Sequence, residues 1–487
     1  MSQDRNFELG SPSPRYDPDV GRSSRQHLSY DAPADYSNVD DALAPGSHPD
    51  PLDTSAAQRR PLRRLSSAAF QGDYDVPDSY VNIAENIDVS PIQNPYEDSV
   101  YQHHNLEQVR SQERRYSREQ SIAHPEPEGA PEPKHEVSRR TTQFYTVSYL
   151  IFFSILGTLA RLGLQALTKY PGTPIIFPSI WPNFAGSLVM GFLSEDRMLF
   201  RGAQDGDADY PASDTSSAAK RAHAARKKTI PLYIGLATGF CGSFTSFSAF
   251  IRDTFLALAN DLPPHIATPS RNGGYSFLAL LAVPITTISL SLAGLFVGAH
   301  LAIALSYFLS PSAIIILPPR ARTLLDHAAV PLGWGCWLGA VLMSALPPNG
   351  HDAWRGQATL ALVFAPLGCL VRFWASLKLN GRFTAFPLGT FVVNVAGTAV
   401  LAVMWDLEHV RAAVGEEVIS CQVLAGVQDG FCGCLTTVST WVGELAALRR
   451  RHAYVYGVAS VLSGFALMVA IAGGVRWSAI FEEGLCS

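Results

Sequence analysis

Residues 239–250, GFCGSFTSFSAF, hold the strongest structural signal in the chain. Residues 430–441, GFCGCLTTVSTW, repeat it 191 positions later with glycine, cysteine and hydroxyl side chains at matching places. In each copy the motif lies in the middle of a long apolar run. Glycine is costly inside a helix, and Ser or Thr can satisfy backbone groups that are freed where a helix opens. The pattern predicts a broken helix in each copy, with close packing through small residues as the alternative.

Two further motifs extend the repeat over most of the apolar part of the chain. Gly157–Arg161, GTLAR, recurs as Gly368–Arg372, GCLVR, 211 positions later. Asn183–Gly186, NFAG, recurs as Asn394–Gly397, NVAG, at the same interval. A longer polar loop in the first copy, 195–228, explains why the interval then shortens by 20 positions. Each copy is therefore predicted to be one unit of four helices.

Charge divides the chain into a polar tail and an apolar body. Residues 1–143 hold 24 Asp and Glu and 15 Lys and Arg, whereas the other 344 residues hold only 18 and 22. The tail cannot bury enough apolar surface to offset its ordering entropy, so it is predicted to be disordered. The body is too poor in charge for a soluble globular protein. We interpret the chain as a membrane protein, not an enzyme, with no nucleic acid partner.

Nine apolar runs in the body are long enough to cross a bilayer as helices. They are 144–168, 175–193, 229–259, 276–309, 330–346, 357–377, 386–405, 418–448 and 454–475. The predicted fold is an all-α integral membrane protein with nine transmembrane helices. Its predicted parts are a cytoplasmic tail (1–143), a first four-helix repeat (144–310), a linker helix segment (311–355) and a second four-helix repeat (356–487).

A single linker span between the two repeats makes them run in opposite directions, as inverted repeats with a shared site near the bilayer midplane. Loop charge supports this topology, because fourteen Lys and Arg residues lie on the side of the tail and five on the other side. We expect a cytoplasmic N-terminus and an extracellular C-terminus. A re-entrant or surface linker helix is the alternative, and it would leave the two copies parallel.

Four polar residues inside the predicted helices leave alternatives open. Arg161 and Arg372 either act within the membrane or snorkel to its surface from near a helix end. Asn183 and Asn394 either join helices or donate a hydrogen bond to an anion.

Protonatable groups and thiols give little sign of other chemistry. Asp429 and His300 are the only candidates for protonatable residues on a transport path, and no pair of carboxylates suggests proton coupling. The seven cysteines all lie in the body and are interpreted as buried thiols without a disulfide framework.

Taken together, these motifs resemble the fluoride channel family, also called fluoride exporters or CrcB-type proteins, in the eukaryotic form that fuses two four-helix units. The resemblance covers about residues 144–475. It implies passive, fluoride-selective export across the plasma membrane by a single chain that forms an internal pseudo-dimer. It also implies a structural Na⁺ at the centre. Backbone carbonyls of Gly242 and Thr245 in one copy, and of Gly433 and Thr436 in the other, would hold this ion.

The resemblance further implies a fluoride pathway lined by an asparagine, a phenylalanine pair and a serine. The matching residues are Asn183, Phe247, Ser248 and Phe250 in the first copy and Asn394 and Ser439 in the second. Aromatic ring edges carry partial positive charge and suit an anion. Val438 and Trp441 replace the phenylalanine pair in the second copy, so we expect one of two possible pores to be degraded. The alternatives are an ion-coupled secondary transporter of a small anion and a membrane protein that signals through its tail.

Overall fold

The computed structural model describes residues 74–77, 79–80, 137–196, 199–200, 227–262, 272–308, 319–346, 353–383, 385–410, 418–478 and 481–482. All of them belong to one compact unit, 65–487. Helices make up nearly all of this part of the chain. Its only β contact is an isolated bridge between Tyr74 and Val137.

Eleven helices occur in the described residues, and two of them, α3 and α9, are built from three consecutive pieces with a π-helical middle. They are α1 (Arg139–Thr168), α2 (Ile180–Glu195), α3 (Pro231–Ile234, Gly235–Cys241 and Gly242–Phe244), α4 (Phe247–Ala259), α5 (Gly273–Phe308), α6 (Pro319–Ala345), α7 (Ala353–Leu379), α8 (Leu388–Glu408), α9 (Val418–Gly426, Val427–Cys432 and Gly433–Leu435), α10 (Ser439–Ala447) and α11 (Arg450–Arg476).

Seven stretches in the described residues are long and apolar enough to cross a membrane: α1, the run from α3 through α4, α5, α6, α7, α8 and α11. The other two predicted spans are also helical, but α2 has only 16 residues and the run from α9 through α10 is not among the seven. An all-α, multi-pass membrane protein is thereby confirmed. The count of nine crossings stays a prediction. Helix α1 begins at Arg139, five residues before the predicted start at Phe144, with Ser138 as its N-cap.

Both motifs that opened the sequence analysis break their helix at the same place. Thr245 leaves the helical region with φ −94° and ψ 153°, and Thr436 does so with φ −96° and ψ 153°. A π-helical stretch precedes each break, Gly235–Cys241 in the first copy and Val427–Cys432 in the second. Such stretches are rare and occur mostly at functional sites.

Contacts at the two ends of the bundle fix which helix ends lie together. At one end, Asp261 after α4 forms an ion pair with Arg476 of α11, at 2.6 Å between Oδ2 and Nε. The amide of Glu482 donates to the carbonyl of His409 after α8, at 3.0 Å. At the other end, Tyr80 contacts both Thr146 near the start of α1 and Phe373 near the end of α7. The N-terminal part of α1 and the C-terminal part of α7 therefore lie on the same side of the bundle.

The described residues bear on two predictions, the disordered tail and the unpaired cysteines. Most of the tail predicted to be disordered lies outside the described residues, but Tyr74 and Tyr80 within it are buried against the membrane helices. The interpretation of the cysteines as thiols only is wrong, because Cys421 near the start of α9 is disulfide-bonded. The other described cysteines are free, and of these only Cys336 is exposed.

Candidate functional site at the two broken helices

An asparagine of the preceding helix clamps the backbone at each break. The amide of Ser246 donates to Asn183 Oδ1 at 2.9 Å, and Asn183 Nδ2 donates back to the carbonyl of Ser246 at 3.4 Å. In the second copy, Thr437 makes the same two bonds with Asn394, at 2.9 and 3.2 Å. Both asparagines are fully buried. The helix-joining role left open by the sequence is therefore the one that the structure displays.

A threonine of each copy caps the resumed helix of the other copy. Thr245 Oγ1 accepts from the amide of Ser439 at 3.1 Å, and Thr436 Oγ1 accepts from the amide of Ser248 at 3.0 Å. Each threonine hydroxyl also lies within hydrogen-bonding distance of the serine hydroxyl that it caps, at 3.1 and 3.0 Å. The predicted pathway serines thus belong to a buried hydroxyl network that joins the two copies.

Arg161 and Arg372 are buried in this centre and do not snorkel to the surface. Arg161 donates to the carbonyl of Ser243 in its own copy and to that of Asp429 in the other. Arg372 donates to the carbonyl of Cys434 in its own copy, at 2.9 Å, and to that of Thr238 in the other, at 2.6 Å. Their exposed fractions are 2% and 1%. The acceptors occupy equivalent positions, so each guanidinium binds both copies in the same way.

The glycines of the motifs make room for these contacts. A Cβ at Gly242 would lie 2.3 Å from Arg372 Nη2, and one at Gly433 would lie 2.3 Å from Arg161 Nη1. A Cβ at Gly186 would lie 2.5 Å from the methyl group of Thr245, and Gly397 stands in the same relation to Thr436, at 2.4 Å. The spacing of the asparagine motif follows: the asparagine holds the break, and the glycine three positions later admits the threonine.

The breaks free the backbone carbonyls that the resemblance assigns to Na⁺. The helical partner of Gly242 O would be the amide of Ser246, which donates to Asn183 instead. The partner of Thr245 O would be the amide of Ala249, which donates to Ser246 Oγ at 3.2 Å.

The second copy repeats this arrangement. The amide of Thr437, the helical partner of Gly433 O, donates to Asn394. The amide of Thr440, the partner of Thr436 O, donates to Thr437 Oγ1 at 3.4 Å. Carbonyl oxygens are ligands that a hard cation prefers. The donor set therefore fits Na⁺, and no cluster of three His, Cys, Asp or Glu side chains suits a metal within the described ranges.

The phenylalanine pair forms one buried cluster with Trp441. Phe247 meets Phe250 edge to face, with ring centroids 5.6 Å apart, and meets Trp441 in the same manner at 5.3 Å. Gly464 of α11 lies close to this cluster, since a Cβ there would be 3.2 Å from Phe247 Cε1. Trp441 and Val438, which replace the pair in the second copy, are also fully buried.

Two buried carboxylates escaped the sequence reasoning, which named only Asp429 and His300. Asp253 accepts from the amide of Ser179 at 3.1 Å. Glu444 accepts from Thr390 Oγ1 at 2.7 Å and from the Tyr456 hydroxyl at 2.5 Å. The signal was available: Asp253 and Glu444 are separated by the same 191 positions as the broken-helix motifs, and Ser179 and Thr390 by the 211 of the asparagine motif. Asp429 instead accepts from Gln357, and His300 is exposed.

The two flanks of the centre differ in how their hydroxyl groups are used. On the first-copy flank, Thr287 and Ser291 of α5 and Ser187 of α2 are buried, and their hydroxyl oxygens have no hydrogen-bond partner among the described residues. Helices α5 and α2 pack directly on each other, and α4 and α10 pack on α5.

On the second-copy flank the corresponding groups are paired. Ser460 of α11 donates to the carbonyl of Tyr456 at 2.7 Å, and Thr398 of α8 donates to that of Asn394 at 2.7 Å. Thr390 and Tyr456 both bond Glu444. The first-copy flank therefore has the uncommitted buried hydroxyl groups, which a small anion could use as donors.

Fold and site together define a multi-pass helical membrane protein with a duplicated, buried polar centre. The family model for CrcB-like protein, Camphor Resistance (CrcB), matches residues 148–299 and 359–474. The two matched stretches hold the two broken helices, and all of α6 lies between them. The chain belongs to the CrcB family.

Relatives of the chain carry matching names. Fluoride export protein 1 of Neurospora crassa is 57% identical over 477 residues, covering 91% of this chain and 90% of the relative. Fluoride export protein 1 of Candida albicans is 33% identical over 369 residues, covering 74% and 88%. Fluoride-specific ion channel FluC of Acinetobacter baylyi is 33% identical over 97 residues, covering 20% of this chain and 72% of the relative. No solved structure matches the chain.

Proposed function

We propose that this protein is a fluoride channel that passively exports F⁻ from the cytoplasm. The observation that carries the proposal is the match of both broken-helix regions to one family whose similar members are named fluoride export proteins and fluoride-specific ion channels. HF enters cells undissociated and ionises in the less acidic cytoplasm. The trapped F⁻ then leaves down its gradient, driven also by a negative-inside potential worth about 2.3 kcal/mol per charge per 100 mV. Export of this kind makes the protein a channel and not an enzyme.

We infer that the channel lies in the plasma membrane with its four-helix units inverted. The inversion is supported by the opposite ends that α1 and α7 present near Tyr80. The orientation is supported by loop charge. It is supported as well by the disulfide of Cys421 at the start of α9, since disulfides persist in oxidising compartments such as the cell exterior. One chain then supplies both halves of an internal pseudo-dimer.

Na⁺ is proposed as the structural ion of the centre. The carbonyls of Gly242 and Thr245, with those of Gly433 and Thr436, would hold it, and the ion would supply positive charge for the freed backbone oxygens. Support comes from the four amides that normally bond these carbonyls, each of which donates to a side chain.

The fluoride pathway is proposed to pass the aromatic cluster and follow the first-copy flank, along α5. A desolvated F⁻ needs hydrogen-bond donors in place of its water shell. Thr287 and Ser291 supply buried hydroxyls without other partners, spaced one helical turn apart. The equivalent flank of the second copy is self-paired and so has less to offer. This assignment makes the second pore the degraded one.

The channel proposal is tested by F⁻ efflux from liposomes that contain the purified protein, with a K⁺ gradient and valinomycin to set the potential. We expect fast F⁻ efflux, no Cl⁻ efflux, and no dependence on an imposed pH gradient. Efflux that requires the pH or Na⁺ gradient would instead identify a coupled transporter. If Na⁺ is structural, its removal from both sides should slow F⁻ efflux, whereas the direction of an imposed Na⁺ gradient should not change the rate.

The assignment of the flank is tested by a matched pair, Ser291→Ala and Ser460→Ala. Loss of a hydrogen bond to a charged partner costs about 1.5–3 kcal/mol, so Ser291→Ala should slow efflux at least tenfold. Ser460→Ala removes a hydroxyl that already donates to the backbone carbonyl of Tyr456, so it should leave efflux unchanged. The reverse result would place the pathway along α11.

A further inference from the structure

A short segment of the tail packs against the membrane helices. Tyr74 and Tyr80 are 6% and 3% exposed, although the sequence around them is polar. We call the described residues 74–77 and 79–80 the strap. The amide of Tyr80 donates to the carbonyl of Pro77 at 2.9 Å, which closes a turn, and Tyr74 pairs with Val137 just before α1.

The strap reaches parts of the chain on both sides of the linker helix. Tyr80 meets Phe373 of α7 edge to face at 5.7 Å, and its phenol lies close to the side chain of Thr146 in α1. Its burial raises the pKa of the Tyr80 phenol above the ordinary value, so the group stays neutral. Val76 packs against both hydrophobic clusters that flank the strap. One cluster includes Tyr233 of the first copy, and the other includes residues of α7 in the second.

The polar anchor of the strap is a carboxylate in the linker helix. The Tyr74 hydroxyl donates to Asp326 Oδ2 at 2.7 Å, and Tyr149 of α1 donates to Asp326 Oδ1 at 3.1 Å. Asp326 is 3% exposed and is the only acidic residue of α6. A buried carboxylate is costly unless its oxygens are hydrogen-bonded. The strap thus supplies one of the two phenol donors that make the position of Asp326 tolerable.

Helix α6 makes further polar contacts with α1 and α7. Much of its surface is exposed at large apolar side chains such as Leu324, Leu338 and Leu342. Among these polar contacts are hydrogen bonds from the indole nitrogens of Trp334 to Ser148 and of Trp337 to the carbonyl of Val363, and the contact of His327 with the Tyr145 hydroxyl. Because much of its surface faces outward, α6 depends on anchors such as the Asp326 hydrogen bonds for its position against the two repeats.

We propose that the strap is an intramolecular docking segment that seats at the junction of α1, α6 and α7 and clamps the linker helix to both four-helix units. Nothing in this proposal depends on which ion is transported. It assigns a structural task to a tail that sequence composition describes only as polar.

The test uses the full-length protein in detergent, with chymotrypsin cleavage after Tyr80 and the melting temperature as readouts. Tyr74→Phe removes only the hydroxyl bonded to Asp326, and we expect cleavage after Tyr80 at least tenfold faster and melting several degrees lower. The matched control is Tyr96→Phe, a tail tyrosine outside the described residues, which should change neither readout. Equal behaviour of Tyr74→Phe, Tyr96→Phe and the wild type would overturn the proposal.

A double variant ties the effect to the linker helix. In an Asp326→Asn background, Tyr74→Phe should lower the melting temperature by less than it does in the wild type, because the two groups act through one contact. Fully additive effects would overturn the clamp. If protection of Tyr80 from chymotrypsin disappears when the protein is diluted, the strap docks on a second copy. This result would also contradict the intramolecular assignment. F⁻ efflux measured on the same variants separates the clamp from the channel: a failure of conduction in the wild type leaves both strap readouts valid.

Discussion

The two broken helices share one backbone arrangement but differ in the side chains that follow it. Both breaks have the same dihedral angles, the same asparagine clamp, the same crossed threonine cap and the same arginine bonds. Beyond the break, the positions of Phe247 and Phe250 in the first copy are taken by Val438 and Trp441 in the second, and that of Asp253 is taken by Glu444. Contacts that bind both copies to each other stay matched, whereas the lining on each flank is free to diverge. Symmetry is therefore kept where a change in one copy would also harm the other.

The largest expected effect tests the shared backbone arrangement. Gly242→Ala and Gly433→Ala each place a methyl group 2.3 Å from a guanidinium nitrogen of the other copy. Overpacking of this kind costs about 3 kcal/mol, and the displaced arginine loses bonds to buried carbonyls as well. We expect both variants to melt far below the wild type, by similar amounts, in a thermal unfolding assay.

Two glycines of α6 provide the control for this comparison. A Cβ at Gly335 or Gly339 has no atom within 4 Å, so alanine there should leave the melting temperature close to that of the wild type. A stable Gly433→Ala beside an unstable Gly242→Ala would break the claimed equivalence of the two copies.

A smaller effect is expected where the copies differ. Phe247→Ile removes a ring edge from the aromatic cluster, and we expect F⁻ efflux to slow about tenfold, as for the loss of about 1.4 kcal/mol of stabilisation. Val438→Ala, at the equivalent position of the second copy, should lower the melting temperature and leave efflux of the folded protein unchanged. If efflux were slower in Val438→Ala than in Phe247→Ile, the conducting pathway would lie on the second-copy flank and the degraded pore on the first.

The smallest effect concerns the crossed caps. Thr245→Val and Thr436→Val keep the shape of the side chain but remove the acceptor for a helix N-terminus, a loss of about 1 kcal/mol each. Melting temperatures should fall by a few degrees in both variants and by a similar amount. Thr286→Val provides the control, because the Thr286 hydroxyl bonds only its own helix, at Ala282 and Val283. A fall in only one of the two cap variants would show that the caps are not equivalent.

Much of the fold could be read from the sequence because its strongest signals are local. Apolar runs and glycine-rich motifs at fixed intervals identify membrane helices, the repeat and both breaks from residues near one another in the chain. The start of α1 was missed by five residues, since the polar turn from Arg139 to Gln143 carries no hydropathy signal. The disulfide of Cys421 was missed because spacing along a chain says little about which thiols meet.

The site was less predictable because its essential contacts join residues far apart. The sequence singled out both arginines and both asparagines but could not choose between their possible roles. That choice rests on partners such as Ser243 and Asp429, which only the folded chain brings to Arg161. Asp253 and Glu444 were overlooked because the repeat was compared only at its glycine, asparagine and arginine motifs, although the two carboxylates share the same 191-residue interval. Tyr74 and Tyr80 were overlooked because burial of two side chains in a polar tail leaves no pattern in composition.

The crossed caps also bear on how the protein is made. Thr436 caps a helix of the first copy, and Arg372 bonds the carbonyl of Thr238 there, yet both residues leave the ribosome long after that helix. At about 5–20 residues per second, the 191 positions between the breaks correspond to a delay of about 10–40 s. During that time the first broken helix stands in the membrane with buried polar groups unmatched. The first half therefore completes its hydrogen bonding only when the second half has been synthesised.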